Sequence, residues 1–239
     1  MSVQVCTAQG MDYLFDKTCQ ENIDNTGTSM THLRRAQCAR CKRPMSYCVC
    51  AHVQAVSNRT DVLILQHLKE SKHPLNTARL AVLGLCRAEC WTGQTFPELA
   101  ARLSKAHCPV LLFPGEQAQT PQQWLAQTPK HLPDLLIVPD GTWRQAGQLI
   151  RSHPILQTLP RVQLPPGEPS RYRVRRAAGD AAVSTIEAIV RTLSVLEPDT
   201  DFQPVLRPFE ALIDGQIRAM GEQAFARHQA LSAKRTQGT

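Results

Sequence analysis

Short, continuously apolar runs alternate with amphipathic stretches along most of the chain from about residue 53 onward. Runs of this kind are typical of strands that are buried on both faces of a parallel sheet. The pattern predicts strands at 61–66, 88–91, 110–113 and 135–138, and helices at 76–85, 97–106, 142–151, 184–196 and 204–228. This alternation predicts an α/β fold with a mostly parallel sheet and helices on both of its faces.

The distribution of polar residues divides the chain into four segments. Residues 1–30 are polar and lack periodicity, which predicts a flexible leader. A small knuckle at 31–52 precedes a main domain at 53–228 and a polar tail at 229–239. No segment approaches the roughly 18 apolar residues that a membrane helix needs, and no secretory signal opens the chain. We expect a cytoplasmic protein without a membrane partner, and we favour a monomer.

The knuckle contains four cysteines within thirteen residues: Cys38, Cys41, Cys48 and Cys50. The spacing C-x2-C-x6-C-x-C places four sulfurs where one tetrahedral zinc ion can bind them all. Four thiolates leave no position for water, so such a zinc ion would be structural rather than catalytic. The alternatives are four reduced thiols in a loop, or two disulfides.

Charge adds a candidate partner. The chain has a formal net charge of +7, and its basic residues cluster in two places. One cluster surrounds the cysteines and the other surrounds Tyr172: Arg34, Arg35, Arg40, Lys42 and Arg43, then Arg171, Arg173, Arg175 and Arg176. Clusters of this kind can neutralise phosphates, so we favour nucleic acid as a partner over a merely solvated basic face.

Polar side chains follow the ends of the predicted strands, where an open parallel sheet binds its ligands. Asp140, Thr142 and Trp143 follow the strand at 135–138 and are candidate catalytic residues. Each also has a structural alternative, because aspartate before glycine is common in turns and threonine is a common helix cap. Trp143 could stack on a base or pack beneath the loop, and its place in a helix favours packing.

Two further places, one strand end and one helix start, contain candidates. His67 follows the first predicted strand, and it could be functional or satisfied within the protein. Ser184 is a helix cap whose capping-box partner is Glu187. Neither a Rossmann glycine motif nor a P-loop occurs in the sequence, so any cofactor is bound in another way.

The motifs occur in a fixed order: Cys38-x2-Cys41-x6-Cys48-x-Cys50, Gln66-His67-x2-Glu70, Asn76-Thr77, Phe113-Pro114-Gly115, Asp140-Gly-Thr-Trp143 with Gln145-Ala146, Tyr172-x-Val-Arg175-Arg176 and Ser184-Thr185-x-Glu187-Ala188. Together they resemble the DTW-domain family, and in particular its bacterial members that modify a tRNA uridine. One departure is Leu68, where the family usually has proline after the histidine.

The resemblance implies a SPOUT-like fold whose C-terminal part forms a trefoil knot that binds S-adenosylmethionine. It implies transfer of the 3-amino-3-carboxypropyl group of that co-substrate to N3 of a uridine in the tRNA variable loop, with release of 5′-methylthioadenosine. The rival functions are a SPOUT-type tRNA methyltransferase and a non-catalytic zinc-knuckle protein that binds RNA.

The resemblance also suggests roles for individual residues. Asp140 would accept the N3 proton of the uridine or bind the α-amino group of the co-substrate. Residues at three loops would bind S-adenosylmethionine: Phe113, Pro114, Gly115, Leu164, Ser184, Thr185 and Glu187. The expected contacts to tRNA are Arg171, Arg173, Arg175, Arg176 and His67.

Overall fold

A computed structural model describes residues 36–73, 75–128, 132–165, 170, 183–221 and 223–227. The predicted leader at 1–30 and the tail at 229–239 lie outside these residues, and so does the arginine cluster at 171–176.

Five strands of the described part form a parallel sheet in the order β2-β1-β4-β3-β5. The strands are β1 (Asp61–His67), β2 (Ala88–Gly93), β3 (Pro109–Leu112), β4 (Leu135–Asp140) and β5 (Arg161–Val162). The predicted parallel sheet is therefore confirmed. The two central strands, β1 and β4, are paired so that Gln66 lies beside Asp140 at the carboxyl edge.

Seven helices accompany the strands in the described residues: α1 (Ala78–Gly84), α2 (Leu99–Leu103), α3 (Pro121–Gln127), α4 (Trp143–Ser152), α5 (Pro154–Gln157), α6 (Thr185–Leu196) and α7 (Gln203–Met220). The helices predicted at 76–85 and 97–106 are shorter than expected. The helix predicted at 204–228 is interrupted at Gly221, which has a φ of 80°. Helices commonly end at a glycine with positive φ. No described helix is both long and apolar enough to cross a membrane.

Two hydrophobic cores lie on opposite faces of the sheet, because successive strand residues point to opposite sides. Ile64 and Val138 belong to one core, which is covered by α1, α3, α6 and α7. Leu63 and Ile137 belong to the other, which is covered by α2, α4 and α5. The prediction of helices on both faces is confirmed. Because β1 and β4 are apolar on both faces, they occupy the interior of the sheet, where both faces are covered.

The cysteine knuckle is attached to the main domain and does not stand apart from it. Val49 is buried and belongs to the larger core. The side chain of Arg43 is also buried, and its Nη2 donates to the carbonyl oxygen of Asn76 at 2.9 Å. The knuckle is therefore anchored to the segment that leads into α1.

The pattern of the sequence did not predict α3, α5 or β5. The start of α3 has a signal that was available, because Thr120 and Gln123 form a capping box and Pro121 occupies the first turn. The missed strand, β5, has only two residues. A periodic pattern cannot be recognised over so short a stretch.

Asp134 joins the start of β4 to the segment before β3. Burial opposes its ionisation, but backbone N–H groups of His107 and Cys108 donate to its carboxylate at 2.7 and 2.8 Å. The pKa of Asp134 therefore lies below its ordinary value. The folded protein favours the charged form of this side chain.

We predict that Asp134→Asn lowers the free energy of unfolding at pH 7. Because the folded-state pKa is depressed, the stabilisation is fully present above the unfolded pKa of about 3.9 and is lost as the pH falls through the folded value. Urea unfolding at pH 7 and pH 3 checks this: the difference between wild type and variant should shrink at pH 3. An equal difference at both pH values would contradict the prediction.

Candidate active site

The four knuckle cysteines bring their sulfur atoms together. Sγ of Cys38 lies 3.7 Å from that of Cys50, and Sγ of Cys41 lies 3.8 Å from that of Cys48. All four sulfurs lie within 4.8 Å of one another. Zinc–sulfur bonds of about 2.3 Å give a tetrahedron whose edges are about 3.8 Å, so the group fits a zinc ion. The cysteines are free, and the disulfide alternative is therefore wrong.

The thiols of the cluster differ in pKa. A backbone hydrogen bond from Cys41 lowers the pKa of Cys38 to about 6, whereas burial raises the pKa of Cys50 to about 12. Four adjacent thiolates repel one another, so a cation is the natural replacement for their protons.

Asp140 ends β4 at the carboxyl edge and is only 6% exposed. Nε2 of Gln66, at the end of β1, donates to its Oδ2 at 2.8 Å. The hydroxyl of Thr185, in the first turn of α6, donates to its Oδ1. Both carboxylate oxygens are thus hydrogen-bonded, and Asp140 is in contact with the start of α6, to which the resemblance assigns residues that bind the same co-substrate. Sequence reasoning quoted Gln66 in a motif but missed it as a site residue.

The turn after Asp140 requires glycine. Gly141 has a φ of 153°, and a Cβ there would lie 3.0 Å from Oε1 of Gln145 and 3.4 Å from Cβ of His67. Thr142 then caps α4, because its hydroxyl accepts from the Gln145 N–H at 3.3 Å and its own N–H donates to Gln145 Oε1 at 2.8 Å. The structural alternative for Thr142 is therefore present in the fold.

Trp143 is 57% exposed, so the expectation that it packs beneath the loop was wrong. The reason is its position at the first residue of α4, outside the part of that helix whose residues belong to the core. Its ring meets that of Phe113 edge-on, with centroids 5.7 Å apart and an interplanar angle of 62°. The turn after β4 and the loop after β3 therefore share an aromatic surface.

The loop after β3 contains Phe113, Pro114 and Gly115. Nη1 of Arg161 donates to the Pro114 carbonyl oxygen at 3.1 Å, and a Cβ on Gly115 would lie 2.8 Å from the same nitrogen. The sequence analysis did not select Arg161. A guanidinium therefore lies against this candidate cofactor loop.

The first turn of α6 connects Asp140 to a cavity of about 340 Å³. Ser184 and Glu187 form the predicted capping box, and Glu187 also accepts from the hydroxyl of Ser170 at 2.6 Å. Glu187 and Leu164 line the cavity, which lies between α3, α6 and α7. Among the described residues Asp140, Trp143 and the loop at 113–115 do not line it.

His67 is only 4% exposed, and its Nδ1 accepts from the Lys69 N–H at 3.2 Å. This agrees with the alternative of a histidine satisfied within the protein, and the contact to RNA stays a prediction. The other four expected RNA contacts lie outside the described residues: Arg171, Arg173, Arg175 and Arg176.

Comparison with known proteins gives the family. Residues 35–217 match the DTW domain, which is well over half of the chain. The chain belongs to the DTW-domain family. No solved structure matches it.

Three relatives have the same kind of name. The chain is 31% identical over 197 residues to tRNA-uridine aminocarboxypropyltransferase 2 of Macaca fascicularis, covering 77% of this chain and 65% of that protein. It is 32% identical over 196 residues to the Drosophila melanogaster protein of the same name, covering 77% and 76%. It is 27% identical over 207 residues to tRNA-uridine aminocarboxypropyltransferase A of Arabidopsis thaliana, covering 70% and 75%. The chain thus spans 65% of the length of the macaque relative.

We predict that the purified protein contains about one zinc ion per chain and that Cys38→Ser lowers both the zinc content and the melting temperature. Mass spectrometry of the metals and thermal unfolding measure these. Cys108→Ser is the control, because Cys108 lies outside the cluster. Protein grown with zinc that carries none would contradict the prediction.

Proposed function

We propose that this chain, acting in the cytoplasm, transfers the 3-amino-3-carboxypropyl group of S-adenosylmethionine to N3 of a uridine in the tRNA variable loop. The observation that carries the proposal is the buried Asp140 carboxylate, held by β1 and α6 at the carboxyl edge, in a family whose named relatives are tRNA-uridine aminocarboxypropyltransferases.

The reaction exchanges one bond for another. The bond from the sulfonium sulfur to the γ-carbon breaks, and its electron pair stays on sulfur in 5′-methylthioadenosine. A new bond joins that carbon to N3 of the uridine, and the N3 proton passes to Asp140 or to water. Because the sulfonium activates three carbons, the site must expose the γ-carbon and not the methyl group to the base.

Asp140 suits the role of binding the co-substrate's α-ammonium group. Its oxygens accept from Gln66 and Thr185, which fixes the carboxylate in place as an acceptor. A fixed, buried acceptor pairs well with a cationic donor. Holding the ammonium would also select which arm faces the uridine. Acceptance of the N3 proton is the alternative role.

The expected cofactor residues supply the rest of the site: Phe113, Pro114, Gly115, Leu164, Ser184, Thr185 and Glu187. Two contacts support this assignment. The first turn of α6 contacts Asp140 through Thr185, and it lines the 340 Å³ cavity through Glu187. A cavity of this size falls within the usual range for small-molecule sites. We infer that the C-terminal part of the chain forms the trefoil knot of a SPOUT-like fold.

The exposed ring of Trp143 is the proposed surface for the uridine. It lies three residues after Asp140 and contacts Phe113 at its edge. An aromatic face stacks on any base. The positive net charge and the arginine cluster at 171–176 would attract the tRNA backbone.

Zinc is the proposed occupant of the cysteine cluster. It would be held by Cys38, Cys41, Cys48 and Cys50, whose sulfur distances fit it. When bound, it would stabilise the knuckle and take no part in the transfer. Arg43 and Val49 would then connect that stabilised knuckle to the main domain.

We predict that purified protein, incubated with unmodified tRNA and S-adenosylmethionine, forms aminocarboxypropyl uridine, and that Asp140→Asn reduces the rate about 100-fold or more. Nucleoside mass spectrometry measures the product. Asp134→Asn is a matched control, because Asp134 also accepts two hydrogen bonds but lies at the opposite end of β4. A mass increase of one methyl group would instead show the methyltransferase, and binding of tRNA without modification would support the RNA-binding alternative.

We predict that Trp143→Ala raises the KM for tRNA about tenfold, because a base–aromatic stack is lost. Trp143→Phe should retain most of the affinity. The melting temperature should change little in either variant, since the ring is largely exposed. Equal tRNA affinity in the alanine variant and the wild type would exclude stacking on Trp143.

A further inference from the structure

A row of hydrogen bonds leads from the exposed start of α1 to the buried Asp140. Gln66 is the central member, and its amide contacts neighbours on both sides. Its Nε2 donates to Asp140 at 2.8 Å. Its Oε1 accepts from Nδ2 of Asn76 and from the hydroxyl of Thr92, each at 3.3 Å. Both ends of this amide are therefore satisfied.

The direction of the row is determined at its far end. The backbone N–H of Arg79 donates to Oδ1 of Asn76 at 3.2 Å, and a backbone N–H can only donate. The oxygen of the Asn76 amide must therefore face Arg79, which turns its NH2 group toward Gln66. The carbonyl oxygen of Gln66 then faces Asn76, and its NH2 group faces Asp140. One N–H at the helix start thus sets the orientation of two amides.

The register of the sheet holds the other end of the row. Gln66 and Asp140 are direct partners in the β1–β4 pair, so their side chains point to the same face of the sheet at its carboxyl edge. Thr185 donates to the second carboxylate oxygen from α6. Asp140 therefore has no freedom to exchange its two oxygens without breaking hydrogen bonds on both sides.

We propose that Asn76 and Gln66 are positioning residues that form a one-way relay, set by the Arg79 N–H, which presents a donor to Asp140 and fixes the orientation of its carboxylate. The inference rests on the proposed function only for the role of Asp140 in transfer. The relay itself is a property of the folded protein, so stability measurements can test it separately from activity.

Asn76→Asp tests the direction. The new carboxylate can still accept from the Arg79 N–H, but it has no proton to donate to Gln66. Whichever way the Gln66 amide is turned, its oxygen then faces a carboxylate, either the new one at position 76 or that of Asp140. One pair of acceptors therefore meets without a proton between them. We expect the melting temperature to fall by roughly 4–8 °C and the transfer rate to fall with it.

Adding Asp140→Asn should reverse part of that loss. The side-chain NH2 of the new asparagine can donate to Gln66, whose amide turns over and donates toward position 76, so the relay runs backwards with every hydrogen bond made. We expect the double variant to melt several degrees above Asn76→Asp alone, while Asp140→Asn leaves the wild type unchanged or less stable. Transfer should stay lost in the double variant, because the carboxylate is gone.

Two controls separate a relay from simple relief of charge repulsion. With Gln66→Met present, Asp140→Asn should change the melting temperature by the same amount with and without Asn76→Asp, since the connecting amide is missing; repulsion through space would keep Asp140→Asn more favourable beside Asn76→Asp. Asn58→Asp changes a buried asparagine outside the row, which donates to backbone carbonyls of Thr60 and Arg87, and its effect should simply add to that of Asp140→Asn.

A loss in the double variant equal to the sum of the single losses would overturn the proposal, and so would a coupling between Asn76→Asp and Asp140→Asn that survives Gln66→Met. If Asn76→Asp does not fold, Gln66→Glu takes its place, because it puts a second carboxylate opposite Asp140. Adding Asp140→Asn should then restore a donor between the two side chains and raise the melting temperature. Absence of that rescue overturns the proposal. Coupling in the melting data together with full transfer by Asp140→Asn would retain the relay and reject the role of Asp140 in transfer, whereas coupling without any transfer by the wild type would retain the relay and reject the proposed function.

Discussion

The hydrogen bonds to the Asp140 carboxylate are the interaction on which the rest of the site depends. A carboxylate buried at the end of a central strand is costly unless its oxygens are satisfied. Here one donor comes from β1 and the other from α6. The strand register and the docking of α6 must therefore both be correct before the site exists. A shift of β1 or β4 by one residue would turn Gln66 or Asp140 to the opposite face of the sheet, away from α6.

The helix starts do more than satisfy backbone groups. In α6 the capping residues lie beside Thr185, so the first turn that closes the capping box also contacts Asp140 and the cavity. In α4 the capping threonine follows Gly141, where a side chain would collide with Gln145. These caps fix the loops at the carboxyl edge, where the proposed donor and acceptor would meet.

The cysteine knuckle is connected to the same region by a short path. Arg43 extends from the knuckle to the carbonyl oxygen of Asn76, and the Asn76 side chain contacts Gln66. A metal that orders the knuckle would therefore stabilise the segment from which the relay begins. The cysteine cluster is remote from Asp140 in sequence, but these contacts connect the two physically.

The sequence alone determined the features that depend on local spacing or on continuous burial. Three of the four predicted runs formed β1, β3 and β4, because strands buried on both faces must be apolar throughout. The fourth formed β2, which lies at the edge of the sheet and is only partly buried. The cysteine spacing gave a cluster of metal-binding geometry, and Ser184 with Glu187 gave a capping box, because each pattern is complete within a few residues. The start of α3 had an equivalent signal at Thr120 and Gln123 that the periodic pattern obscured.

Only the tertiary structure decided which distant residues meet. Gln66 and Asp140 are 74 positions apart, and they become neighbours through the pairing of two strands that no local pattern specifies. Trp143 was expected to be covered and is exposed, because its burial depends on where α4 begins relative to the sheet edge. Contacts between elements arise from packing over the whole chain, whereas sequence patterns report on each element separately.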